Sequence, residues 1–238
     1  MQWYEALVDD ITEKDVYSRK ELVDMLRNLK ADLSDGTYNW ILGSLVSDGQ
    51  LIRQGYDTYR LSDGISKKEY RPDYSGDALD VMNDIQNKYP YVRFTVFETV
   101  LMNEFLNHLI ANNTIFVQVE KESSIFIFRH LQEAGYQNVL YKPDVSNFDL
   151  YWAKGSIIVT DLISESPIRT DNPGEILLEK ILVDMLADKL IATTFSKAEL
   201  PDVFEQAVSR YNLDKVRMFR YARRRNRQDE VKKYMGEQ

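Results

Sequence analysis

Between Ser18 and Leu61 the chain changes its hydrophobic period twice, and few folds accept that order of changes. Ser18 precedes Arg19-Lys20-Glu21-Leu22-Val23-Asp24-Met25-Leu26, where apolar positions recur at helical spacing, and Glu21 lies three residues after the serine in a capping-box pattern. This predicts a first helix. After the turn residues Asp32 to Gly36, the run Thr37 to Asp48 places Tyr38, Ile41, Leu42 and Leu45 on one helical face and Thr37, Trp40, Ser44 and Ser47 on the other. Gly49 can take the positive φ that ends a helix, and Leu51 to Gln54, Gly55-Tyr56-Asp57 and Thr58 to Leu61 read as strand, tight turn and strand. Helix, turn, helix and hairpin in that order predict a winged helix-turn-helix over residues 1–63, a shape whose second helix can enter the DNA major groove.

In such a module Thr37, Asn39, Trp40 and Ser44 would meet base edges. Arg19, Lys20, Arg53 and Arg60 would reach phosphates from the first helix start and the wing, with Tyr56 in the wing turn, and Arg27 and Lys30 are further phosphate candidates. The charge balance opposes tight binding by one copy, because the region up to Glu69 carries more acidic than basic residues. The expectation is a homodimer on an inverted repeat of double-stranded DNA, or help from a second basic surface. A small subdomain that only packs on the rest of the chain, or that binds protein, is the alternative.

The 238 residues suffice for a small domain plus a medium one, and 38 acidic against 30 basic residues leave a net charge of −8, which excludes a nonspecific nucleic-acid binder. No apolar run approaches a membrane span, and the N-terminus lacks the basic and apolar regions of a signal peptide, so a cytoplasmic protein without membrane contact is expected. With no cysteine, thiolate zinc sites and cysteine nucleophiles are excluded. His108 and His130 fall in different predicted helices without a spaced carboxylate, so neither metal nor cofactor is expected.

Residues 64–76 are polar, with two glycines and a proline, and read as a linker. Beyond it, strands at Tyr91–Phe97, Thr114–Glu120, Asn138–Tyr141 and Ser156–Leu162 alternate with helices at Asp77–Tyr89, Glu98–Ile110 and Ser123–Gly135. Helices at Pro173–Ile191, Ser196–Tyr211 and after Asp214 follow. The expected class is α+β: the winged helix, then an α/β domain over 77–238, partly parallel, with a helical and basic C-terminal end.

That α/β pattern carries no phosphate-loop motif and no Gly-Ser turn followed by paired carboxylates. Glu98, Glu104, Glu120, Glu122, Asp149 and Asp161 lie near strand ends. Convergence of Glu98, Glu120, Asp149 and Asp161 on a divalent metal would make a nuclease or nucleotidyltransferase-like enzyme; otherwise such acids cap helices and pair with Arg93, Lys121 or Arg129. No catalytic residue is assigned, and the chain is expected not to be an enzyme. Positive charge concentrates in Arg217, Arg220, Arg223, Arg224, Arg225 and Arg227, with Arg217, Arg220, Arg224 and Arg227 near one helical stripe. This is either a surface for nucleic acid or an acidic partner, or a set of arginines answering the protein's own acids.

Leu178 to Leu190, Met218 to Arg225 and Phe116 to Lys121 resemble segments of bacterial AbiEi-like antitoxins of the abortive-infection type. With the winged helix, the resemblance spans nearly the whole chain. It implies an antitoxin of a type IV toxin-antitoxin, phage-defence operon, encoded beside a nucleotidyltransferase-like toxin. Its winged helix would repress the shared promoter, and its C-terminal domain would counter toxicity.

Overall fold

The computed structural model describes residues 16–53, 55, 57–61 and 67–236 together with Tyr4 and Leu7. Internal contacts divide the chain into two units, with the boundary between Lys68 and Glu69. The class is α+β.

The first unit begins with β1 (Tyr17–Ser18) and α1 (Arg19–Leu29), continues with α2 (Asp35–Ser47), and ends in the hairpin β2 (Leu51–Arg53) and β3 (Thr58–Leu61). The capping box at the start of α1 is complete: Ser18 Oγ accepts from the Glu21 amide at 3.3 Å, while a Glu21 carboxylate oxygen accepts from the Ser18 amide at 2.8 Å. Two orphan amides of the first turn are thereby satisfied. Ser34 caps α2, accepting from the Thr37 amide at 3.2 Å. The Tyr38 hydroxyl donates to the Lys30 carbonyl at 2.8 Å and so fixes the turn between the helices.

The predicted apolar face of α2 is the buried one, since Tyr38, Ile41, Leu42 and Leu45 are all at most 2% exposed. They pack with Leu22 and Leu26 of α1 and with Leu51 and Tyr59 of the hairpin, each such side chain contributing about 1.5–3 kcal/mol by leaving water. Gly49 has φ +69° at the helix stop, a conformation that any Cβ would strain. The sheet order is β1-β3-β2, antiparallel throughout, so β1 adds a short third strand to the predicted wing.

The second unit is built on a five-stranded sheet. Its elements are α3 (Gly76–Lys88), β4 (Phe94–Glu98), a 3-10 turn (Thr99–Glu104), β5 (Ile115–Val119), α4 (Ser124–Glu133), β6 (Val139–Tyr141), α5 (Val145–Tyr151), β7 (Ile157–Asp161) and β8 (Gly174–Glu175). Then come α6 (Leu178–Ala187), α7 (Leu200–Arg210), α8 (Lys215–Arg224) and α9 (Gln228–Tyr234). The strand order is β6-β7-β5-β4-β8, with β5 to β7 parallel and β4 antiparallel to β5. Alternation along the strands divides the core in two. Val96, Val117 and Val159 face α3 and α4, whereas Phe97, Phe116 and Ile158 face the C-terminal helices.

Three expectations are corrected here. From Glu69 onward the expected linker is part of the second unit: Tyr70 is buried against Phe105 and Tyr211, Tyr74 donates to the Val96 carbonyl, and Ser75 caps α3. Gly64, Ile65 and Ser66 lie outside the described residues.

The predicted helix over Glu98–Ile110 is only a 3-10 turn. Asparagine side chains satisfy its backbone instead, Asn103 bracketing Ile110 through both its amide and carbonyl, and Asn113 accepting from Val100. The helix expected from Pro173 is shortened at its start, because Gly174 at φ +91° enters the sheet as β8 beside β4.

Candidate nucleic-acid interface

The apolar side of α2 packs on Leu51 and Tyr59 of the β2–β3 hairpin, and its opposite, polar side carries the predicted base readers. Trp40 is 64% exposed, while Thr37, Asn39 and Ser44 are half-buried at its flanks. The capping box starts α1 so that Arg19, its first residue, reaches across to α2, where Arg19 Nε donates to Asn39 Oδ1 at 3.1 Å. The Arg19 amide also donates to the Asp57 carbonyl of the wing turn at 2.9 Å. A single residue thus links the start of α1, the middle of α2 and the wing. The Asn39 amide is held in one orientation by a guanidinium that a phosphate could draw away.

Other predicted contacts are placed as follows. Thr37 Oγ1 lies 2.9 Å from Ser34 Oγ and belongs to the cap, and Ser44 donates to Asp48 at 3.3 Å. Lys20 is exposed beside Arg19, Arg53 is exposed on β2 with its Nε donating to the Gly55 carbonyl at 3.1 Å, and Arg60 is half-buried on β3. Tyr56 lies outside the described residues. Arg27 is drawn away from any phosphate role: its guanidinium spans Asp35 at 2.7 Å and Asp24 at 3.1 Å over the Tyr38 ring, and the hydrogen bond it donates to Asp35 raises its pKa.

The arginines of the C-terminal end do not form the predicted continuous stripe. Helix α8 ends at Arg224, Asn226 takes φ +56°, and α9 starts a new direction at Gln228. Arg225 turns inward, its side chain only 10% exposed, to within 3.7 Å of Asp184 and 3.8 Å of Asp188; its assignment to a basic surface is thereby corrected. Arg227 donates to the Leu186 carbonyl at 3.0 Å. Arg217 pairs with Asp214 at 3.1 Å, Arg220 lies 3.9 Å from Glu165, Arg224 donates to Ser164 at 2.5 Å, and Arg223 is exposed. Of the two readings of this segment, that geometry favours arginines answering the protein's own acids.

The four carboxylates of the metal-enzyme alternative are split between opposite ends of the sheet. Glu98 pairs in register with Ile115 and Asp161 with Val119, four residues apart along β5, or roughly 13 Å. Glu98 is fully buried and accepts from the Ser75 amide and hydroxyl at 2.6 and 2.7 Å and from Asn113. Asp161 sits at the other end with Lys142 at 2.7 Å and the Ser124 hydroxyl at 2.7 Å, near Glu120, which pairs with Arg93 at 3.3 Å. His130, expected to lack a carboxylate partner, lies 3.0 Å from Asp84. Among the described residues no cluster of three metal-ligating side chains occurs, and no described helix is long and apolar enough to cross a membrane.

Comparison with solved structures finds similarity to the crystal structure of the RV2827C protein from Mycobacterium tuberculosis. That match has 12% identity and a TM-score of 0.38, and covers 99% of this chain and 78% of that one. No curated protein matches. Residues 37–238 match the model of DUF6577, a family of unknown function, and the chain belongs to that family.

Proposed function

We propose that the chain is a DNA-binding antitoxin that represses its own promoter through the winged helix. It would be paired with a nucleotidyltransferase-like toxin, as its resemblance to AbiEi-like antitoxins implies. The observation that carries this reading is the exposed polar side of α2, where Asn39, next to the exposed Trp40, accepts from Arg19, a residue whose amide is bonded to the turn of the β-ribbon. On DNA, Arg19 transfers to a phosphate and releases Asn39 Oδ1, so that the asparagine amide can pair bidentately with an adenine edge. Lys20, Arg53 and Arg60 add salt-dependent affinity without choosing sequence. Two copies on an inverted repeat supply the cationic contacts that one acidic copy lacks.

Fluorescence anisotropy on the protein's own upstream DNA, at several salt concentrations, tests this. Asn39→Ala is expected to lose roughly 10-fold in affinity for that DNA and little for a scrambled duplex, equivalent to about 1–3 kcal/mol of discrimination. Arg53→Ala is expected to weaken both duplexes and reduce the salt slope by about 1 per site. Unchanged binding by Asn39→Ala overturns the base-reading role. The acid excess and the capture of Arg27 by Asp24 and Asp35 favour a second reading, a protein-interaction adaptor, which predicts no shift of upstream DNA at all.

A further inference from the structure

On the second unit, at the Glu98 end of the sheet, a cavity of about 700 Å³ opens between the Asn-rich segment before β5, helix α5 and the turn before α7. Its volume lies in the range of small-molecule sites. The walls are mainly apolar, with Leu106, Ile110, Phe148, Trp152 and Phe195 prominent among them. Trp152 is fixed in place: its indole Nε1 donates to Thr114 Oγ1 at 2.7 Å, so one aromatic wall is already oriented. At the mouth Leu109 is 74% exposed.

The charged groups decide what such a cavity can hold. Two carboxylates line it, Asp149 and Glu199, and no lysine or arginine does. Glu199 is occupied, accepting from the Asn107 amide at 2.8 Å and facing His108 Nδ1 at 3.1 Å. These bonds outweigh its partial desolvation and hold its carboxyl below the ordinary 4.5, so it is ionised at neutral pH. Asp149 is exposed on α5, one residue from Phe148 and three from Trp152, and none of the ion pairs of the described residues uses it. An anion or phosphate entering here would meet like charge, with only the His108 imidazole, already facing Glu199, to set against it, whereas a neutral apolar guest would leave the carboxylates idle.

We propose that this cavity binds a small organic cation with an aromatic or aliphatic body, the body seated against Trp152 and Phe148 and the cationic head at Asp149. The inference is independent of DNA binding, because every residue it uses belongs to the second unit. Aromatic faces and a carboxylate together are the chemistry that selects an ammonium over its neutral or anionic analogues.

The full-length protein is titrated with 2-phenylethylammonium, 2-phenylethanol and 3-phenylpropanoate, three probes of similar body and different charge. Binding is read from the Trp152 indole N–H resonance, identified by its loss in Trp152→Phe. The cation is expected to shift this resonance in a saturable way, the alcohol more weakly, and the carboxylate not at all. Asp149→Asn, an exposed substitution, is expected to weaken the cation roughly five-fold and leave the alcohol unchanged. Ala198→Leu, which fills the cavity from its other wall, is expected to abolish binding. The proposal is overturned by equal response to cation and anion, by no effect of Asp149→Asn, by cation binding that survives Ala198→Leu, or by no shift with any probe.

Discussion

Removing the carboxylate of Asp184 should be among the most damaging single changes in the second unit. Asp184 and Lys180 lie one turn apart on α6, both fully buried, with the Lys180 ammonium against one carboxylate oxygen. The Tyr221 hydroxyl of α8 donates to the other oxygen at 2.7 Å, Gln118 of β5 approaches at 3.5 Å, and Arg225 stands 3.7 Å away. This one group therefore ties sheet, α6 and α8 together. In Asp184→Ala the ammonium stays buried without its counter-charge, and breaking a buried pair in this way costs about 3–5 kcal/mol.

Replacing both partners, as in Lys180→Met with Asp184→Leu, leaves no orphan charge and should recover most of that loss. Burial already lowers the Lys180 pKa from 10.5 against the pull of Asp184, so the folded state holds this proton less readily than the unfolded state. Stability tied to Lys180 therefore rises with pH toward the ordinary lysine value. Loss of Asp184 lowers the folded pKa further, so the Asp184→Ala deficit should be smaller at pH 9.5 than at pH 7. Urea unfolding followed by Trp152 fluorescence, in a Trp3→Phe, Trp40→Phe background, measures both. A deficit under about 1 kcal/mol, or a double variant as unstable as Asp184→Ala, refutes the reasoning.

Three other outcomes are expected. Arg169→Met should cost about 1.5–3 kcal/mol, because the buried Arg169 guanidinium holds Glu69 at 2.6 Å, Glu175 at 3.2 Å and the Tyr70 carbonyl at 3.1 Å. Its hydrogen bond holds the Glu69 carboxyl below the ordinary 4.5, and Asp171, bonded to its own backbone amide and near Arg169 and Arg71, is also lowered. Stability from these carboxylates is present above their ordinary values and lost as pH falls through the lowered ones, so urea midpoints between pH 5 and pH 2.5 should fall less steeply in Arg169→Met than in the parent. Gly174→Ala places a Cβ 2.7 Å from the Phe94 ring at φ +91° and should cost about 1–3 kcal/mol, seen in thermal unfolding and in faster amide exchange of β8. Trp40→Ala, at an exposed position whose ring meets Tyr4 edge-on, should cost about 0.5–1.5 kcal/mol of stability, leaving the protein folded, while weakening the upstream DNA complex in anisotropy.

Elements whose burial follows from their own period could be read directly from the sequence. Four of the five strands of the second unit emerge within a few residues of expectation because Val96, Val117 and Val159 alternate against a covered face, and α2 emerges because Tyr38, Ile41, Leu42 and Leu45 share one. Elements specified by a distant partner could not. Strand β1 exists through its pairing with β3, and β8 through the approach of Gly174 to Phe94. The 3-10 turn after β4 replaces a helix because Glu98 and Asn113, fifteen residues apart, bond to each other and to neighbouring groups. Helix α5 did carry a local signal, the N-cap Asp144 accepting from the Asn147 amide at 2.8 Å, with Phe148 as its buried residue.

The arginine segment shows why the candidate sites were harder to read than the fold. Placing Arg217, Arg220, Arg224 and Arg227 on one stripe assumes that the helix runs on unbroken, and at 3.6 residues per turn it would have to do so for about three turns. The left-handed Asn226 ends that run, and Ala222 and Tyr221 are drawn into the core. From that point the direction of each arginine is set by what lies beneath it. Arg225 falls above Asp184 and Asp188, carboxylates some forty residues earlier in the chain, which no window of sequence brings together. The same reasoning applies to Arg19 and Asn39 and to the cavity around Trp152: their residues have ordinary local roles as helix start, helix face and helix end, and acquire a possible chemical role only once tertiary packing brings them side by side. For this chain, local period serves as a guide to burial, and the pairing of polar groups across the fold is the guide to binding.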